Sequence, residues 1–360
     1  VRVVFTGGGT GGHVYPGLSV LEALRCQAGT PIEAWYIGRR GGAEERIVPA
    51  AGVPFHAVPA AGLRGKSAPA AARALVALAA GTAQAWRLLG RWRPRVAFAT
   101  GGYASVPVAL AARLRRIPLL LFLPDVYPGW AVRFLARFAT RIATSTDQAL
   151  AALPRGRTVV TGYPVRAAFF AVDRPSARAR LGLPPAEPVV LVAGGSSGAR
   201  DINRAVARHL PHFLQMAYLL HVSGPPFEAE LRRLAERLPV HLRARYHLFG
   251  YLDDMPAAMA AADVAVLRAG ASTLGELPAS GLPAVLVPGP FSDQERNARY
   301  LVEQGAAVVV DNAAVDHILP TVHDLLRTPE RLAAMRRAMG ALARPTAAAD
   351  LARLLLEVAA

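Results

Sequence analysis

Lysine is almost missing from this chain. Lys66 is the only one, so the formal net charge of +16, from 41 Lys+Arg against 25 Asp+Glu, is nearly all arginine. A GC-rich genome is one reading, given the heavy use of alanine, proline and leucine; an anionic partner is the other. Basic runs interleaved with aromatics, which an RNA-binding module needs, are absent. An anionic membrane surface and a phosphorylated ligand are therefore expected, and nucleic acid is not. Cysteine is as scarce: Cys26 stands alone, which excludes an internal disulfide framework and a cysteine-cluster metal site. No uninterrupted apolar run is long enough to span a bilayer, although the chain is 53% hydrophobic with a mean hydropathy of +0.28 and can fill large cores. The chain opens directly into an apolar run, without the basic segment, apolar core and cleavage site of a signal peptide, so none is expected. Acids with metal-ligand spacing are lacking too. Asp253-Asp254 ahead of Met255-Pro256 reads as a helix cap, and neither a metal nor a cofactor is expected. A length of 360 residues suggests two domains.

What is present is a glycine device at the start. Val1–Gly17 reads VRVVFTGGGTGGHVYPG. An apolar, β-branched run stops at glycine, as a buried parallel strand does. A helical pattern is predicted from Tyr15, with Pro16 in its first turn. Glycines permit close approach of backbone to ligand, and a helix start offers free N–H groups and a positive dipole end, so the loop suits a phosphate or a polar sugar. Gly7-x-Gly9-x-x-Gly12 is also the nominal dinucleotide fingerprint, but that site wants an acid at the end of the second strand. The second strand, predicted near 32–37, ends in Gly38-Arg39-Arg40, and Glu33 lies at its wrong end. A nicotinamide is thereby disfavoured. His13 falls just past the loop, at the carboxyl end of a parallel sheet. It either removes a proton from a substrate or hydrogen-bonds the loop.

Apolar runs alternate with helical patterns to the end of the chain, which predicts α/β architecture with parallel sheets. Strands are predicted at 1–5, 32–37, 53–58, 96–100, 119–123, 142–144 and 158–161. They recur at 188–193, 218–222, 246–249, 264–267, 284–287 and 307–310. The segment LVAGGSSGARDIN, Leu191–Asn203, restates the opening device about half a chain later. Two doubly wound domains follow, 1–162 and 163–340, with a final helix at 341–360 free to pack back on the first, and a weakly structured proline-rich stretch at Asp173–Pro188. Ligand would lie in a central cleft between their carboxyl edges. Pro69–Trp92 is an Ala/Leu-rich helix carrying Arg73, Arg87 and Arg91 beside Trp86 and Trp92. Such a face suits a membrane surface, or is an ordinary buried helix with solvated arginines.

In the second half, Gly194-Gly195-Ser196-Ser197-Gly198 between strand and helix can hold a diphosphate. Arg268 through Glu276, RAGASTLGE, follows another strand. Glu276 can take two hydrogen bonds from a ribose diol, or can stabilise a helix dipole. Asp293, Gln294 and Asn297 suit sugar hydroxyls, or loop and cap chemistry.

In that order the motifs resemble those of the MurG family, the UDP-N-acetylglucosamine–lipid I N-acetylglucosaminyltransferases of peptidoglycan synthesis. GGGTGGHVYPG resembles the family's opening signature and GLRGK at Gly62–Lys66 its loop of that sequence. TGGYASVP at Thr100–Pro107 is similar to GGYxSxP, TGYPVR at Thr161–Arg166 to TGNPVR, GGSSGA to GGSQGA, and RAGASTLGE to the donor motif. The resemblance implies a GT-B fold of two Rossmann-like domains, with UDP-GlcNAc bound by the second and the lipid acceptor by the first. It implies an inverting, peripheral enzyme at the cytoplasmic face of the plasma membrane. GlcNAc would pass to the MurNAc 4-hydroxyl of lipid I, an undecaprenyl diphosphate-linked acceptor, giving lipid II. By position, Thr10, Gly11 and Gly12 would face the donor, and Arg166 and Ser196 its sugar and phosphate. Leu252 would meet uracil; Ala271, Ser272, Thr273, Leu274, Gly275 and Glu276 would hold diphosphate and ribose; Gln294 would hold GlcNAc hydroxyls. His13, from its place past the loop, is expected to be the base or to orient it. The chain departs from the family at three places: Leu123-Pro124-Asp125-Val126 for HEQN, Tyr163 for the asparagine of TGNP, and Ser197 for the glutamine of GGSQ. These bear on donor-sugar specificity, and they make Asp125 a second candidate base. A transferase using another UDP-sugar or lipid, a sugar-nucleotide epimerase, a dehydrogenase and a non-catalytic membrane protein remain as alternatives.

Overall fold

A computed structural model of the chain describes residues 1–27, 29, 31–62, 67–195, 198–289 and 294–360. Every run predicted as a strand is a strand in it. Seven pair in one parallel sheet: β1 (Arg2–Thr6), β2 (Glu33–Arg39), β3 (Phe55–Val58), β4 (Val96–Ala99), β5 (Leu119–Leu123), β6 (Arg141–Thr144) and β7 (Thr158–Val160), in the order β3-β2-β1-β4-β5-β6-β7. Six pair in a second parallel sheet: β8 (Val189–Ala193), β9 (Tyr218–Val222), β10 (Tyr246–Phe249), β11 (Val264–Leu267), β12 (Ala284–Leu286) and β13 (Ala307–Val309), in the order β10-β9-β8-β11-β12-β13. The strands at the centre, β4, β5, β8 and β11, are buried along their whole length. Crossover helices cover both faces of a parallel sheet, so such strands must be apolar on both sides and read as continuous runs.

The chain forms two units, Val1–Arg166 with Arg344–Ala360, and Ala167–Ala343. The first crossing therefore falls a few residues past 162. Tyr163 is buried with its ring edge against Phe122, 6.1 Å between centres, and the Arg166 guanidinium lies 5.1 Å from the Tyr15 ring. Both contacts keep 163–166 with the first sheet. The C-terminal helix Ala347–Ala359 packs on the same unit, where Gln27 Nε2 donates to the Ala349 carbonyl.

The first unit's helices include α1 (Gly11–Gln27), α2 (Glu44–Ala50), α3 (Ala68–Trp92), α4 (Val106–Leu114) and α5 (Trp130–Leu135). One face of its sheet carries Phe5, Phe98 and Phe122, in ring contact across β1, β4 and β5. The other presents Val4, Ala97, Ala99 and Leu121 to an apolar cluster with Ala85, Leu89, Val108 and Leu135 from α3, α4 and α5. Two expectations are corrected. Helix α1 begins at Gly11, not Tyr15, so Pro16 lies inside it. The stretch predicted as weakly structured holds a helix, Arg174–Arg180, whose N-cap Asp173 accepts from the Ser176 amide at 2.9 Å.

Candidate active site

In each sheet the strand order reverses beside the strand that precedes a glycine loop: β1 next to β4, and β8 next to β11. Open parallel sheets bind ligands at such switch points, outside the carboxyl ends of their strands. Thr10, Gly11, Gly12 and His13 all fall on the turn that opens α1, at the first of these points. The His13 ring lies against the loop after β4. Gly101 and Gly102 take φ of +82° and +71°, and a Cβ on either would lie about 4 Å from His13 Cδ2. His13 Nδ1 is 3.3 Å from Thr10 Oγ1. The Thr100 hydroxyl donates to the His13 carbonyl, and the Tyr163 hydroxyl donates to the Gly12 carbonyl at 3.0 Å. So His13 and its turn are held by hydroxyls from three loops while His13 remains half-exposed, a combination suited to a group that must meet a substrate proton.

Sequence reasoning missed Glu44. Its side chain is fully buried and accepts from the Gly9 amide through Oε2 and the Arg39 amide through Oε1, each at 3.0 Å. It fills a pit made of glycines: a Cβ at Gly8, Gly38 or Gly42 would lie 2.2, 2.5 or 2.3 Å from it. The carboxylate thus ties the first glycine loop to the end of β2. Beside it the Tyr36 hydroxyl donates to the Gly7 carbonyl at 3.0 Å. Burial, then the Glu44 carboxylate, hold that phenol well above its ordinary pKa, so it stays a donor. The available sequence signal was glycine on both sides of an acid shortly after a strand end.

Asp125 follows β5, two strands from β1, and is half-buried, whereas Val126 is buried. Glu33 pairs with Arg2 at 3.2 Å at the opposite end of the sheet, the position that disfavoured a nicotinamide.

In the second unit, Gly194, Gly195 and Gly198 turn from β8 toward the helix Arg200–Arg208. Ser196 lies outside the described residues, as do Ser197, Asp293 and Leu63–Lys66. Behind that helix start runs a buried polar chain. Asn203 Nδ2 donates to the Ser223 carbonyl at 2.8 Å, which turns Oδ1 toward His221 Nε2 at 3.0 Å. His221 Nε2 therefore carries the proton, and Nδ1 accepts from the Tyr246 hydroxyl at 2.9 Å. Burial pushes the His221 pKa down to about 3, so the ring is neutral.

Ala271, Ser272 and the helix Thr273–Ser280 follow β11. Ala271, Thr273, Leu274 and Gly275 are buried, while Ser272 and Glu276 are half-buried. Thr273 Oγ1 donates to the Gly270 carbonyl at 2.6 Å, fixing the turn. Arg268, which opens this motif, faces inward. It donates to the carbonyls of Val287 and Pro288 and to the side chains of Asn312 and Asp201, so it binds strand ends together. Gln294 Oε1 accepts from the Gly289 amide at 2.8 Å, so that half of its amide holds the loop after β12. Asn297, read as a candidate for sugar hydroxyls, is fully buried and donates to the Ala269 carbonyl at 3.1 Å; its amide supports the motif loop instead. Leu252 follows β10 and is half-buried. Asp254 caps the helix Met255–Ala261 through the Ala257 amide at 3.2 Å.

Comparison with known proteins matches residues 3–144 to the glycosyltransferase family 28 N-terminal domain and 189–352 to the glycosyltransferase family 28 C-terminal domain. A protein of Roseiflexus sp. (strain RS-1), named UDP-N-acetylglucosamine–N-acetylmuramyl-(pentapeptide) pyrophosphoryl-undecaprenol N-acetylglucosamine transferase, is 44% identical over 99% of this chain and 94% of its own. One of the same name from Salinibacter ruber is 40% identical over 99% and 97%. Among solved structures, Acinetobacter baumannii MurG superposes with a TM-score of 0.73 at 24% identity, covering 99% of both chains.

Proposed function

The chain belongs to the MurG family within glycosyltransferase family 28, and from that premise we propose how its residues divide the work. It is a GT-B enzyme that transfers GlcNAc from UDP-GlcNAc to lipid I, giving lipid II. The observation that carries this is the 44% identity, over nearly the full chain, to a transferase named for that reaction.

The second unit takes UDP-GlcNAc. Residues 271–276 and the loop after β8 turn helix starts toward one switch point, and their N–H groups and dipoles favour a diphosphate. Glu276 accepts from the ribose hydroxyls, Leu252 meets uracil through its backbone, and Gln294 and Ser196 contact sugar and phosphate. The first unit takes the acceptor, with Thr10, Gly11, Gly12 and Arg166 reaching the donor. The MurNAc 4-hydroxyl oxygen bonds to the anomeric carbon of GlcNAc as the bond from that carbon to the diphosphate oxygen breaks. UDP leaves with the bonding pair, the configuration inverts, and the hydroxyl proton passes to His13, with Asp125 as the competing base. Fixed amide dipoles stabilise the charge gathering on the departing diphosphate.

The enzyme works as a peripheral protein on the cytoplasmic face of the plasma membrane. Among the described residues no helix is long and apolar enough to cross one. Helices α3, α4 and α5 border an apolar groove of about 760 Å³ lined by Leu75, Leu78, Trp86, Leu110, Leu114 and Trp130. Arg115 sits 3.9 Å from the Trp86 ring centre at its edge. An apolar surface with aromatic and arginine margins fits anionic lipid.

Release of UDP from UDP-GlcNAc, measured with and without lipid I, tests the assignment. Release that requires lipid I, with lipid II as product, is expected. Turnover without acceptor would indicate an epimerase and overturn it.

A further inference from the structure

Pro16 lies within the second turn of α1. Proline has no N–H, and its ring crowds the carbonyl four residues back. The Gly12 carbonyl is therefore denied its helical donor. The Tyr163 hydroxyl donates to that oxygen instead, at 3.0 Å. Tyr163 is buried, and its ring continues the row Phe122, Phe98, Phe5 across the sheet. A phenol anchored in the core thus ends on the residue immediately before His13. The next carbonyl, that of His13 itself, takes the Thr100 hydroxyl.

We propose that Tyr163 is a positioning residue for the transfer reaction. Its hydroxyl replaces the hydrogen bond that Pro16 removes, and so holds the opening turn of α1, with the amides of Gly11 and Gly12 and the His13 ring, in working geometry. The proposal rests on the reading that this turn meets substrate. Tyr163 stands where the family motif has asparagine. In sequence that departure is expected to bear on donor-sugar specificity, but the hydroxyl is engaged by the helix that carries the candidate base.

The pairing of Tyr163 with Pro16 makes the role testable by a double-mutant cycle. Tyr163→Phe keeps the ring and deletes the donor. A fall in kcat of roughly tenfold is expected, the size of one hydrogen bond's contribution, with the KM for UDP-GlcNAc changed less than about twofold because most of the donor contacts proposed above belong to the second unit, which the substitution leaves untouched. Pro16→Ala gives the helix back its N–H. In that background, Tyr163→Phe is expected to cost less than about twofold. A hydroxyl that served only to stabilise the fold would lower thermal stability without splitting kcat from KM. The proposal is overturned if Tyr163→Phe turns over like the parent, or if Pro16→Ala fails to relieve its loss. His13→Ala, assayed alongside, separates the two ideas. If it keeps normal chemistry while the Tyr163–Pro16 cycle behaves as expected, the turn acts on the transition state through its Gly11 and Gly12 amides rather than through the His13 ring. If it abolishes chemistry while Tyr163→Phe is silent, His13 stands and Tyr163 falls.

Discussion

Acidification to about pH 5 should load the second unit with a penalty traceable to one side chain. His221 is fully buried on β9, neutral, with both ring nitrogens hydrogen-bonded, and burial depresses its pKa from 6.5 to about 3. In the unfolded chain the ring takes a proton once the pH drops below about 6.5; in the folded chain it does not until about 3. The unfolded state thus binds more protons across that window. The stability held in the neutral ring is complete above the unfolded value and is lost as the pH falls toward the folded one. Linkage gives about 2 kcal/mol lost by pH 5, and about 4 kcal/mol when the pH reaches the folded value. His221→Gln isolates this from the carboxylates: a glutamine amide can donate toward Asn203 and accept from Tyr246, but does not titrate. Urea unfolding of parent and variant at about pH 7.5 and pH 5 should be followed by hydrogen exchange in peptides from 167–343. All four tryptophans, at 35, 86, 92 and 130, lie in the first unit, and their fluorescence would miss the event. The parent should lose about 2 kcal/mol more than the variant between the two conditions. An unchanged difference would mean that the folded ring takes its proton as readily as the unfolded one, and would refute the neutral, buried ring at pH 5.

Three further outcomes are expected. In single-turnover assays at saturating donor, His13→Ala should slow the chemical step by roughly 10²–10⁴, and Asp125→Ala should slow it less; near-normal chemistry in His13→Ala would reassign the base. Glu44→Ala should destabilise the first unit by about 3 kcal/mol, because the Gly9 and Arg39 amides lose their acceptor, a change that tryptophan-monitored denaturation would register. Replacing Leu114 and Trp130, which are 69% and 54% exposed at the groove, by glutamate should weaken sedimentation with anionic vesicles by about tenfold and leave UDP-GlcNAc binding unchanged.

What could be read in the sequence, and what could not, follows from where each hydrogen-bond partner lies. The strands were legible because a run such as Leu119–Leu123 must be apolar on both faces of its sheet, and that demand is written in adjacent residues. The start of α1 was not. Proline normally marks a first turn, and what lets Pro16 sit deeper is a hydroxyl 151 positions from Gly12. Glu44 escaped notice for the same reason, since its partners are the Gly9 and Arg39 amides and its pit is built by glycines on two loops. Asn297 looked like a ligand-binding group because it is polar and stands near a strand end, and Arg268 opens the motif beside it. Strand ends are also where backbone groups run out of ladder partners, and these two side chains supply them: Asn297 to the Ala269 carbonyl, Arg268 to those of Val287 and Pro288. At the carboxyl edge of a parallel sheet, polar side chains therefore divide between the protein's own interrupted backbone and the ligand. Gln294 spends half of its amide in the same way, with Oε1 committed to the Gly289 N–H. Sequence pattern finds the edge; only the pairing decides which of its polar atoms a nucleotide sugar can use.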